Sequence, residues 1–89
     1  MATLIDESMQ QDQLAMSVAR ALTIANAAAH ENGIERSASL ITITEEMTPS
    51  GSQWRIHYGP REYLNRRGGD LIVLVDANGD SIRKVIRGQ

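Results

Sequence analysis

The last third of the chain constrains its fold most. Leu71-Ile72-Val73-Leu74-Val75-Asp76 and Ser81-Ile82-Arg83-Lys84-Val85-Ile86 flank Ala77-Asn78-Gly79-Asp80. Two β-rich runs joined through Asn-Gly predict a hairpin, because Asn and Gly tolerate the positive φ that such turns require. A hairpin of this kind needs cover for its apolar face. The only segment able to supply a long covering helix lies at the other end of the chain.

That segment reads as a helix over residues 9–31. Leu14, Val18, Ala21, Leu22, Ala25, Ala28 and Ala29 recur at steps of three and four and share one face. Ser8 with Gln11 forms a plausible capping box, with Thr3 and Asp6 as a rival start. Asn32-Gly33 supplies a residue able to take the left-handed conformation that stops a helix. The alanines favour helix and also let the axis approach its partner closely. Val18 and Leu22 are the larger side chains expected to be buried.

Between helix and hairpin the period falls to two. Residues 39–47 alternate Ile41, Ile43 and Met47 against Thr42 and Thr44, and predict a half-buried strand. Residues 48–52 form a turn cluster. Residues 53–59 place Trp54, Ile56 and Tyr58 on one face, with Arg55 and His57 on the other. The terminal strands fall at about 70–76 and 81–87. The expectation is an α+β fold in which one long N-terminal helix packs on a curved four-stranded antiparallel meander, in the order α-β-β-β-β, as a single domain over residues 1–89. Eighty-nine residues can bury little more than one such core.

Composition narrows the function classes. The chain has no cysteine, which removes disulfides, thiol nucleophiles and Cys–zinc sites together. The amino end lacks a basic, then apolar, leader pattern, and no apolar run approaches the ~20 residues of a membrane helix. The expectation is therefore a cytoplasmic protein without membrane contact. The net charge of −2 hides an asymmetry: residues 1–50 carry seven acidic and two basic side chains, residues 51–89 four acidic and seven basic.

No motif amounts to an enzyme signature. Asp76-Ala77-Asn78-Gly79-Asp80 imitates the first half of a calcium loop, but Ser81 stands at the glycine position and Arg87 at that of the bidentate glutamate. A hairpin turn accounts for the same residues. His30 and His57 fit no metal-ligand spacing, and a general base at His57 would need a partner that the sequence does not identify. Glu45 and Glu46 point to opposite faces of a regular strand and cannot form a dyad. Gly68-Gly69 precedes a strand, not the helix that a phosphate loop requires. No catalytic residue, metal or cofactor is expected.

Arg61, Tyr63, Arg66 and Arg67, in the polar connection 60–68, are the expected partner-binding residues. Arg could meet phosphate there while Tyr stacks on a base. The pI of about 5.6 argues against nucleic acid and favours a protein partner. Self-association is a further expectation. The run 71–75 is apolar on both faces. One helix covers one face, and Ile72, Leu74 and Val85, with Leu40, would form a patch on the other for a homodimer.

Trp54-x-Ile56-x-Tyr58, followed by Gly69-x-Leu71-x-Val73-x-Val75-Asp76-x-x-Gly79-x-x-Ile82-x-x-Val85-x-x-Gly88, resembles small PepSY-like and cystatin-like α+β domains. It also resembles the C-terminal portion of NTF2-like bacterial immunity proteins. The resemblance covers residues 53–88 and implies a helix cradled by an antiparallel sheet, with roles in binding or inhibition. The Gln-x-Val-x-Gly loop of cystatin inhibitors is absent, and so is the secretion signal usual for PepSY domains. The functional expectation is a non-catalytic interaction or inhibitor-like module. The alternatives are nucleic-acid binding through residues 60–68 and a small enzyme using His57.

Overall fold

A computed structural model describes residues 12–60 and 70–88, which form one helix and a four-stranded antiparallel sheet. The helix α1 spans Gln13–Glu31, and a short 3-10 turn at Arg36–Ala38 leads into the sheet. The strands are β1 (Ser39–Thr48), β2 (Gly51–Pro60), β3 (Leu71–Asp76) and β4 (Ile82–Arg87). They lie in chain order, β1-β2-β3-β4. This is the α+β meander expected from the sequence.

The start of α1 differs from the expected capping box. Asp12 holds an extended backbone, and its side chain accepts the Ala15 N–H at 3.1 Å. It therefore caps the helix, four residues after Ser8; Thr3, Asp6, Ser8 and Gln11 lie outside the described residues. The other end is as expected. Gly33 takes φ +80, its N–H donates to the His30 carbonyl, and the Ile34 N–H donates to the Ala29 carbonyl. This paired closure satisfies carbonyls that the last turn leaves open. Ile34 then folds back against the core.

The helix packs chiefly on β3 and β2. Ala21, Ala25, Ala28 and Ala29 are buried against Trp54, Ile56, Tyr58, Leu71, Val73 and Val75. The small side chains on one layer admit the large ones on the other. Val18 and Leu22 are half-buried, not buried as expected, because the alanines occupy the centre of the contact and the two larger residues flank it. Leu14 is 58% exposed. The turn between β3 and β4 ends beneath Ser17 and Ala21, so Leu14 lies one helical turn beyond the sheet.

That turn shows why Gly79 is glycine. Its φ is +76, and a Cβ there would sit 2.7 Å from the Ser17 carbonyl oxygen and 2.8 Å from the Ala21 nitrogen. Asn78 does not share the positive φ expected of an Asn-Gly pair. Ala77–Asp80 instead make a wider loop closed by Asp76: the Asp76 N–H donates to the Ser81 carbonyl, while Asp76 Oδ1 accepts from the Asp80 and Ser81 N–H groups. The carboxylate that opens the calcium-like motif therefore closes a turn.

The first hairpin is tighter than expected. Thr48 pairs with Gly51, so only Pro49 and Ser50 make the turn and both strands run longer than the sequence predicts. Thr48 Oγ1 donates to the Gly51 carbonyl and accepts the Ser50 N–H, and Gly51 takes φ +111. These local bonds hold the turn in two residues.

Register decides which side chains share a face, because residues directly opposite in antiparallel strands point the same way. Val85 lies opposite Val73, on the helix side. The expected outer set of Ile72, Leu74 and Val85 is thus split. A register shift at Leu74/Val75 brings Ile86 opposite Ile72 and Lys84 opposite Leu74. Counting from a regular hairpin misses the residue that this bulge inserts.

Candidate functional site

Arg61, Tyr63, Arg66 and Arg67 lie outside the described residues. The described sheet offers two other surfaces, its outer face and its β1 edge.

The outer face is polar across most of its width. Gln53 Nε2 donates to Glu46 Oε1 at 3.0 Å, and Arg83 Nη1 reaches Gln53 Oε1 at 3.3 Å. Arg55 Nε stands 3.9 Å from Glu46 Oε2. Both of those side chains are over a third exposed, so the ion pair adds little to stability. Ile72 and Leu74 are half-buried within this frame, in rows that also hold His57, Arg55 and Lys84. With Val85 on the other side, Ile86 takes its place opposite Ile72, and the outer apolar residues Ile72, Leu74 and Ile86 are bordered by Arg55, His57 and Lys84.

His57 has the partner that the sequence did not identify. Its Nε2 lies 2.9 Å from Asp70 Oδ2, with both side chains partly exposed. Asp70 directly precedes β3, and the pairing of His57 with Ile72 brings it diagonally within reach. Sequence reading missed Asp70 because the link depends on the β2–β3 register across the 61–69 connection. Among the described residues, no cluster of three or more His, Asp or Glu side chains is placed to hold a metal ion. No helix among them is long and apolar enough to cross a membrane.

The β1 edge is the larger departure from expectation. Ile41, Ile43, Glu45 and Met47 lie opposite Tyr58, Ile56, Trp54 and Ser52, and so project on the helix side. Yet α1 stops short of them. Ile41 is 39% exposed, Ile43 36% and Met47 80%, while Tyr58 and Ile56 on the next strand are wholly buried. Leu40, on the outer side of the same strand, is 44% exposed. The expected half-buried strand is in fact exposed from Leu40 to Glu45 and again at Met47. Among the described residues, β1 also has a strand on one side only, leaving a row of backbone donors and acceptors open.

The two edges differ. Strand β4 is six residues long, contains the bulge and carries Arg83, Lys84 and Arg87. Short length, bulges and basic side chains are the devices that keep a sheet edge from recruiting another strand. Strand β1 is ten residues long, pairs with β2 in unbroken register and contains neither proline nor a basic residue. Its two charges, Glu45 and Glu46, sit towards one end. Among the described residues, the open edge is β1. No family model, curated protein or solved structure matches the chain.

Proposed function

We propose that this chain is a non-catalytic protein-interaction module that takes its partner along the free edge of β1. One observation carries the reading: a ten-residue edge strand without proline, bulge or basic side chain presents Leu40, Ile41, Ile43 and Met47 to solvent. A strand added there would gain main-chain hydrogen bonds from the open ladder. Its selectivity would come from the alternating side chains. The resemblance of residues 53–88 to cystatin-like and PepSY-like domains implies the same class of role, binding or inhibition. Arg61, Tyr63, Arg66 and Arg67 would add contacts to an acidic protein surface.

A second reading, a small enzyme using His57, draws on the 2.9 Å approach of Asp70 to the imidazole. A carboxylate on one ring nitrogen orients the ring, as a general base requires. The readings separate in one experiment. Affinity capture from the host is carried out with the wild-type chain, Ile43→Lys and His57→Ala. The interaction reading expects the captured protein to be lost with Ile43→Lys and kept with His57→Ala. Loss with His57→Ala alone overturns it in favour of His57 chemistry.

A further inference from the structure

We infer that the strand added at β1 is β1 of a second copy, paired antiparallel about a two-fold axis through Thr42 to give a continuous eight-stranded sheet. The inference rests on the proposed interaction role of the β1 edge and names its occupant.

Symmetry narrows the geometry. Two identical edge strands paired antiparallel are related by a two-fold axis perpendicular to the sheet. That operation keeps both helices on one side of the sheet. It also requires opposite residues to share a face, which permits only alternate registers. With Thr42 on the axis, Ile41 faces Ile43 of the second copy, and the reverse contact repeats it. Four isoleucines, each over a third exposed in the single chain, then meet on the helix side. Leu40 faces Thr44 on the other side, and Glu45 faces Ser39. In this register no glutamate stands opposite another, nor opposite an isoleucine.

The neighbouring permitted registers are poorer: with Ile41 on the axis, Ile43 stands opposite Ser39 and only residues 39–43 of β1 pair. With Ile43 on the axis, Glu45 stands opposite Ile41. With Thr44 there, it stands opposite Ile43. With Glu45 there, like charges meet directly, which is destabilising. The basic edge β4 of a second copy would attract these glutamates. However, its bulge breaks the ladder, and head-to-tail pairing of β1 with β4 forms no closed dimer.

A cysteine-free chain allows a clean test. Residues facing each other in an antiparallel pair have Cα atoms about 4.5–5.5 Å apart, within disulfide range. Thr42→Cys should therefore form a disulfide-linked dimer under mild oxidation, whereas Leu74→Cys on the outer face should remain unlinked. Sedimentation of the wild type from micromolar to several hundred micromolar should approach twice the 9.8 kDa chain mass. Ile43→Lys, checked by circular dichroism to be folded, should weaken the dimer by at least about tenfold, since each dimer would face two ammonium groups with isoleucines. Cross-linking at Leu74→Cys in place of Thr42→Cys, or an open series of larger species, would overturn the β1 pairing. So would a wild type that stays monomeric throughout. A monomer that still captures another protein sensitively to Ile43→Lys overturns self-pairing alone; a monomer whose capture ignores that substitution overturns the interaction reading as well.

Discussion

At the scale of single residues, two buried positions carry specific demands. Gly79 lies where the β3–β4 turn passes beneath α1, at φ +76 and with main chain on the far side of any added Cβ. Gly33 has a similar φ of +80 but open space around it. Gly33→Ala should therefore cost only the left-handed strain, about 1–2 kcal/mol. Gly79→Ala should cost about 1–3 kcal/mol more than that, because the helix backbone must move as well. Urea denaturation of the two variants side by side measures the difference, and equal losses would mean that the turn and the helix do not touch. Tyr58 makes the second demand. Its ring is wholly buried, and its hydroxyl donates to Asn26 Oδ1 at 2.6 Å, tying β2 to the helix. Tyr58→Phe should destabilise by about 1–2 kcal/mol, the cost of leaving the amide oxygen short of a donor.

At the scale of elements, the alanine face decides how the helix can respond to change. Ala25 and Ala29 are fully buried, so the helix backbone runs close over β2 and β3. Ala25→Leu would push the two layers apart and should cost about 1–3 kcal/mol by overpacking. Leu22→Ala, at the half-buried flank, should cost about 1–2 kcal/mol, below the range for a fully buried leucine. If Leu22→Ala proves the costlier of the two by denaturant titration, the layers are held by the flanks and not by the alanine seam. The seam was legible in the sequence because seven residues repeat at helical spacing over a long segment. The faces of β2 and β3 were legible because Trp54, Ile56, Tyr58, Leu71, Val73 and Val75 alternate cleanly. What failed were features set by neighbours. The bulge that turns Val85 to the helix side is an inserted residue without a composition signal. The exposure of Ile41 and Ile43 follows from where the helix sits, and alternation reads the same whether or not a helix reaches the strand. The Asp70 partner of His57 was hidden for a similar reason, since thirteen residues of sequence separate two side chains that the register brings together.

At the scale of the whole molecule, one helix covers the middle of one side of the sheet, and the two sides become different surfaces. On the helix side, apolar residues continue past the helix on to both edges: Ile41, Ile43 and Met47 on β1, Ile82 and Val85 on β4. On the outer side, Glu46, Gln53 and Arg83 form a hydrogen-bonded row, while Arg55 and Lys84 bracket Leu74. The charge asymmetry of the sequence reappears here in part, with Glu45 and Glu46 on β1 and Arg83, Lys84 and Arg87 on β4. Leu74 is the position that tests this division. Its row places a guanidinium on one side and an ammonium on the other, so a carboxylate there meets two opposite charges in cross-strand positions, each pair worth about 0.2–1 kcal/mol. That gain offsets the apolar burial that a half-buried leucine provides. Leu74→Glu should therefore change stability by no more than about 1 kcal/mol and leave the sedimentation coefficient where the wild type has it. A dimer built on Ile72 and Leu74 behaves otherwise: the new carboxylates would be buried at its centre and the species would fall to the monomer mass. Denaturation and sedimentation of this one variant thus separate an outer face that works as a solvated surface from one that is covered by a second copy.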